Sequence, residues 1–241
     1  MLGSISQLRL SNPTSEVSQY LMTQISDPKS FIVENTRPAG TPLLGNKIEL
    51  YLANEDLPLW QLGEEELNNL QLPTPFWAFA WAGGQALAQY ILDNPDIVRG
   101  KSVLDFACGC GIEAIAAKMS GAKTVLAADI DSFAITATEL NANLNQVILT
   151  TTTENLVGKD NQGWDVILAG DVCYEGPMAK EITTWLWQLS ATGVLVLMGD
   201  PGRTYLPKSG LKKLIAYGVQ TSSALEDTDV RNACVWEFHQ N

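Results

Sequence analysis

Between Val103 and Ala114 the chain reads VLDFACGCGIEA. A short apolar run meets an acid, Asp105. Gly109 and Gly111 follow one residue apart, and an Ala-rich run opens. A strand that stops at a Gly-rich turn and passes straight into a helix is the first half of a βαβ unit. Such a turn presents the backbone N–H groups of a helix N-terminus to a ligand. The same rhythm continues downstream. Strands are expected at KSVLDFA, TVLAADI, VILTTTT, WDVILAGD and GVLVLMGD. Helices are expected at GIEAIAAKMSGA, SFAITATELNANLN, PMAKEITTWLWQLSAT and LKKLIAYG. VQTSSALE and ACVWEFH close the chain as two strands with no helix between them, an edge hairpin. That makes seven strands from residue 101 onward in a mainly parallel sheet, an α/β fold.

Upstream, residues 14–26 carry Val17, Tyr20, Leu21 and Ile25 at helical spacing before Asp27-Pro28 stops the run. FIVEN and KIELYLAN are expected as strands on either side of RPAGTPLLGN, which is full of turn formers. GEEELNNL is expected as a short helix, and LPTPFWAFAWAGGQALAQYIL brings aromatics up to a Gly-Gly and an amphipathic helix. The expected division is an N-terminal extension over 1–75, packed on an α/β domain over 76–241.

Composition narrows the partners. The formal charge is -12, with 15 Lys plus Arg against 27 Asp plus Glu. A general nucleic-acid binder needs a basic face, and none is visible; an acidic field favours cationic substrates. Of the four cysteines, Cys108 and Cys110 sit in the glycine loop and Cys173 and Cys234 stand alone. That is no zinc pattern and no disulfide framework, so no metal site is expected. Reduced thiols, no apolar leader in MLGSISQLRLSNPTSE and no run of about 20 apolar residues point to a cytoplasmic protein outside the membrane. A single chain with one site suggests a monomer.

Gly109 to Ala114 satisfies G-x-G-x-x-A, and Asp129 stands 20 residues after Gly109. An acid there suits ribose hydroxyls, which fits a nicotinamide dehydrogenase or an S-adenosylmethionine methyltransferase. Three features favour the second. Asp105 would repel a pyrophosphate but suits a cationic ammonium. AGDVCYE brings Asp171 and Tyr174 to the carboxyl edge of the sheet, where ligands bind. The closing strand pair matches the seven-strand methyltransferase arrangement.

PFWAFAWAGGQALAQYILDNP, RGKSVLDFACGCG, AAKMSGA, DIDSFA, WDVILAGDVCYE and GDPGRTYLP together resemble one family. It is the electron transfer flavoprotein β-subunit lysine methyltransferases in their bacterial form, within the seven-strand protein methyltransferases that bear D-x-x-Y/F. The resemblance runs from about Phe31 to the C-terminus. It implies a Rossmann-like seven-strand class I fold with an N-terminal helix and strand extension, and S-adenosylmethionine as cofactor. Asp105, Ala107, Gly109 and Gly111 would form the methionine-binding loop. Asp129 would take the ribose hydroxyls, with Ile130 on the adenine and Glu154 and Asn155 near its amino group. Trp81 aligns with a Trp that flanks the cofactor. Asp171 and Tyr174 are the D-x-x-Y pair, and Cys173 stands where relatives often carry Phe.

Methyl transfer to an amine needs alignment and a neutral nucleophile rather than a strong base. The single histidine, His239, stands near the C-terminus. Asp171 is expected to orient the amine and Tyr174 to hold it. The implied partner is a protein, the electron transfer flavoprotein β subunit, with a ribosomal protein as second target. A small-molecule N-methyltransferase, such as one acting on nicotinamide, remains the main alternative. A silent S-adenosylmethionine-binding module and the dehydrogenase are the others. Some residues have plainer readings: Asp131 or Ser132 as a helix cap, Trp77 and Phe79 as packing, and Trp185 and Trp187 as core and interface. Asp200 and Arg203 either line the product side or form a turn held by an ion pair.

Overall fold

The computed structural model describes residues 27–53, 65, 67, 74–221 and 230–239. The helix expected over 14–26, most of GEEELNNL and the second half of VQTSSALE lie outside those residues.

The described residues open with helix α1 (Pro28–Asn35) and a hairpin of β1 (Arg37–Thr41) and β2 (Gly45–Leu52). This departs from the expected strand at FIVEN. Pro28 occupies the first helical turn, where its missing N–H costs nothing, and Phe31 and Ile32 are both buried. RPAGT, expected as a turn, is the first strand of the hairpin. Pro38 is tolerated because β1 has a single partner strand, and a Cβ on Gly40 would strike the carbonyl of Gly45.

A single 3-10 turn at Phe76–Ala78 leads into α2 (Ala82–Asp93). Then come β3 (Ser102–Phe106), α3 (Ile112–Met119), β4 (Thr124–Ala128), α4 (Ser132–Leu144) and β5 (Thr150–Thr152). β6 (Val166–Gly170), α5 (Gly176–Ala191), β7 (Leu195–Asp200), β8 (Leu211–Gln220) and β9 (Val230–Phe238) complete the fold. The seven-stranded sheet runs β5-β4-β3-β6-β7-β9-β8. Its first five strands are parallel, and β9 inserts antiparallel between β7 and β8.

LKKLIAYG, expected as a helix, is most of β8. The pairing with β9 shifts between Lys213 and Ile215, so Leu214 is an extra residue in the ladder. Leu211 packs on the α5 side of the sheet and, past the bulge, Leu214 and Tyr217 pack on the α2 side; this half-buried spacing of three imitates a helix face.

Strand alternation distributes the core. Val103, Leu168, Leu197 and Val235 face α2 and α3, while Leu104, Ile167, Val196 and Met198 face α5. A third cluster joins α1 to α4, with Phe31 edge-on to Phe133 and Trp77 stacked on it. Phe79 is buried too, as a packing role requires. The hairpin is tied down by Asn141 and Asn145 of α4. Tyr51 N donates to Asn141 Oδ1 at 2.7 Å, and Glu49 exchanges two backbone bonds with the Asn145 amide. Among the described residues no helix is long and apolar enough to cross a membrane.

Candidate active site

The strand order reverses between β3 and β6: the chain leaves β3 toward β4 on one side and returns to β6 on the other. A crevice opens at the carboxyl ends of the strands at such a switch point. There a cavity of 560 Å³ lies between the β3 and β4 ends, the segment after β6 and the aromatics ahead of α2.

On one side is the glycine loop. Gly109 and Gly111 both have left-handed backbone, at φ 51 and 77. A Cβ on Gly111 would lie 2.7 Å from Thr138 Cγ2, so only glycine fits. Helix α4 clamps the loop: Thr138 Oγ1 donates to Gly109 O at 3.1 Å and Asn141 Nδ2 to Cys110 O at 2.8 Å. Asn141 thus bridges the N-terminal hairpin and the loop with one side chain. Ala107 lines the cavity, left-handed at φ 56 without being glycine. Such a conformation costs of order 1 kcal/mol or more and persists where its surroundings enforce it.

Asp129, at the end of β4, lines the cavity. Its Oδ2 accepts from Gly109 N and its Oδ1 from Asp131 N, each at 3.0 Å. One lone pair on each oxygen is left for a pair of neighbouring hydroxyls. Burial raises its carboxyl, and the N–H groups of Asp131 and Gly109 pull against that. Ile130 beside it is 73% exposed and presents a flat apolar face. Glu154, ion-paired with Lys159, and Asn155 complete this end. Asp131 caps α4 by accepting from Phe133 N at 2.8 Å.

Two residues predicted for the loop do not reach the cavity wall. Gly111 is turned toward Thr138. Asp105 lies under the loop, fully buried, with Oδ2 accepting from Ala114 N at 2.9 Å. The spacing located this acid but could not give its direction.

The opposite side carries Asp171 and Tyr174. Asp171 is left-handed at φ 54. Its Oδ2 accepts from Gly83 N at 2.5 Å and Gly84 N at 3.2 Å, at the start of α2. Its Oδ1 accepts from Arg203 Nε at 2.9 Å and Nη2 at 2.6 Å. Four donors fill the four acceptor positions of the carboxylate. Burial pushes Asp171 up, while Arg203 and the two N–H groups hold it down. Gly83 and Gly199 allow this approach, since a Cβ on either would strike the other's carbonyl. Tyr174 is 44% exposed, and its ring lies 5.2 Å from that of Phe76. Trp81 meets Phe76 edge-on at 5.8 Å and has the Arg203 guanidinium 5.7 Å from its ring centroid.

Phe76 and Arg203 line the cavity; Phe76 had been given no role, and Arg203 was expected either to line the product side or to sit in a turn held by an ion pair. Phe76 belongs to an aromatic run in which Trp81 had been assigned to the cofactor and Trp77 and Phe79 to packing. Arg203 pairs with Asp171 and not with Asp200, whose Oδ1 instead accepts from Gly202 N and Arg203 N at 2.6 and 2.7 Å. Cys108, Cys110 and Cys173 are buried, and all four cysteines are free. Trp185 is core, donating to Lys159 O at 2.8 Å, while Trp187 is exposed.

The donor set suits S-adenosylmethionine. It offers an acid with spare acceptors for a ribose, a flat apolar face for a purine and a glycine loop free of side chains. Sheet order, loop and cavity define a class I methyltransferase. A proposed RNA methyltransferase from Pyrococcus horikoshii shares the fold, with TM-score 0.52 at 12% identity over 70% of this chain and 90% of that one. The family model "Ribosomal protein L11 methyltransferase (PrmA)" matches residues 85–172. The electron transfer flavoprotein beta subunit lysine methyltransferase of Danio rerio is 38% identical over 219 residues, 88% of this chain and 84% of that protein. Its Homo sapiens counterpart is 38% identical, over 87% of this chain and 81% of its own length. The chain belongs to this family of lysine methyltransferases.

Proposed function

We propose that the chain methylates a lysine ε-amine of a protein, with the electron transfer flavoprotein β subunit as substrate. S-adenosylmethionine supplies an electrophilic methyl on a sulfonium, which an amine lone pair displaces in line. The observation that carries the reading is the saturated Asp171 carboxylate beside an aromatic mouth. A free carboxylate at this point would hold a lysine as its ammonium, which cannot attack. Arg203 takes that charge up. Asp171 then acts as a positioning residue, setting Arg203 and the start of α2 around the reacting end. Tyr174, Phe76 and Trp81 offer ring faces to the alkyl stem and amine. Trp81, Ala107, Gly109, Asp129, Ile130, Glu154 and Asn155 hold the cofactor, and Asp105 and Gly111 support the loop from beneath.

The exposed carboxylates Glu154 and Glu181 at the cavity, with Asp131 beside them, favour approach of a basic protein surface over a neutral small amine. The match of the L11 methyltransferase model makes a ribosomal protein the second substrate to try. The four free thiols suit the reducing cytoplasm. The described hairpin, anchored on Asn141, supports treating residues 1–75 as an extension packed on the catalytic domain.

Incubation with labelled S-adenosylmethionine tests this. Label is expected on the flavoprotein subunit, and is expected to vanish from versions of it with the target Lys changed to Arg. Label on nicotinamide alone would overturn the protein reading.

A further inference from the structure

Asp105 of β3 and Glu113 of the first turn of α3 bracket the glycine loop. They are 0% and 3% exposed. Ala114 N serves Asp105 Oδ2. Asp105 Oδ1 and Glu113 Oε1 have no protein donor, yet the two side chains lie within hydrogen-bonding reach of each other. Two buried carboxylates so placed would repel and leave two bare acceptors. One proton between them removes both penalties.

The surroundings say which acid keeps that proton. Burial is the largest influence on both. It raises Asp105 to about 7 and Glu113 well above its ordinary value. Asp129, from β4, pushes on Asp105, while Asp171, after β6, pushes on Glu113. Cys108 and Cys110 of the loop are held as thiols, Cys110 at about 12. Arg203 is engaged by Asp171. Glu113 is also wedged against the reacting side. A Cβ on Gly170 would strike its Oε1, and one on Gly84 would sit 3.8 Å from it.

We propose that Glu113 is a positioning residue that donates a proton to Asp105, so that one buried negative charge stays under the glycine loop as counter-charge to a sulfonium cation. This rests on the cofactor reading above. A cation stabilises the Asp105 anion, so affinity is full above the free pKa of Asp105. It falls as pH drops through about 7, by up to tenfold per unit. S-adenosylhomocysteine keeps the ammonium but carries a neutral sulfur, one positive charge fewer, and so loses less.

Calorimetric titration of both ligands between pH 6 and 9, with melting of each unliganded variant, tests it. In Glu113→Leu the donor is gone and Asp105 keeps its proton to higher pH. The acid limb for S-adenosylmethionine is expected to move up by about one unit, a loss of about tenfold at pH 7.5, with S-adenosylhomocysteine changed less than about twofold. Glu113→Gln keeps a neutral donor and is expected to restore the wild-type limb, and it alone decides the matter if the Leu variant does not fold. Equal loss of both ligands with an unmoved limb, or a shifted limb in Glu113→Gln, would overturn the proposal. Binding of neither ligand to the wild type would instead overturn the cofactor reading.

Discussion

Asp171 and Arg203 stand 32 residues apart in the chain, yet the guanidinium bonds one carboxylate oxygen through two nitrogens. The other oxygen caps the start of α2 through Gly83 and Gly84. In the proposed reaction this pair would set how charge is presented to an incoming amine.

Removing either partner breaks a buried, doubly hydrogen-bonded ion pair, a change that is strongly destabilising to the geometry around it. Asp171→Asn and Arg203→Gln are each expected to lower kcat/KM for the protein substrate by about a hundredfold, with the double variant little worse than either. Arg203→Gln should also move the acid limb of kcat/KM to higher pH, because the freed carboxylate stabilises the ammonium. Cofactor affinity should change by less than about threefold. Steady-state kinetics across pH, with calorimetry, gives all three quantities, and full turnover in Asp171→Asn would remove this role.

Tyr174 can act through its ring or its hydroxyl. Its oxygen lies 4.0 Å from Met178 Sδ, a weak contact. A ring-face role therefore predicts that Tyr174→Phe stays within about fivefold of wild-type kcat/KM and Tyr174→Ala loses about twentyfold or more. Reversal of that order would assign the work to the hydroxyl.

Asp129 joins the glycine loop to the wall of the proposed cofactor site. Asp129→Ala should weaken S-adenosylmethionine binding by about tenfold to a hundredfold, the worth of one charge-assisted hydrogen bond or two. Because Gly109 N and Asp131 N also lose their acceptor, the melting temperature should fall in the same variant. Unchanged affinity would move the ribose elsewhere.

Gly83→Ala tests the close approach of α2 to β7. The added methyl meets the Gly199 carbonyl and the Asp171 carboxylate. Overpacking of this kind costs about 1–3 kcal/mol, or roughly 2–10 °C in melting temperature for a chain of this size. An unaltered melt would show that the helix can slide.

Buried acids set the pH response of the unliganded protein. Burial raises Asp105 to about 7 and Asp131 and Asp200 to about 6. Between the ordinary value of 3.8 and these values the folded state holds protons that the unfolded chain releases. Stability from these groups is therefore greatest below that window and falls as pH rises through it. Thermal melts should be higher near pH 5 than near pH 8, and a flat profile would argue against these buried charges.

The stretch from Ser102 to Asp200 was legible because each strand and helix there is bounded by its own local signals, such as Gly109, Asp131 and Gly193. Elsewhere non-local partners decided. Phe31, Ile32 and Val33 favour strand, but packing against Phe133 and a proline at the first turn make them helix. Leu214 disguised β8 by adding one residue to the ladder. In the site, spacing found Asp129 and Asp171 but not what they touch. Arg203 was noticed, but nothing near it in sequence names Asp171 as its partner.

The bulge at Leu214 also bears on how molecules of this protein meet one another. Among the described residues β8 is the edge of the sheet, ten residues long and paired with β9 alone. A long, regular edge invites a strand from a neighbouring molecule to add on. Here the added residue breaks the ladder near one end, and Lys212 and Lys213 stand exposed beside the break. An approaching strand would find mismatched register and two like charges. The irregularity that hides β8 from a reader of the sequence thus also makes its edge a poorer template for a strand of another molecule.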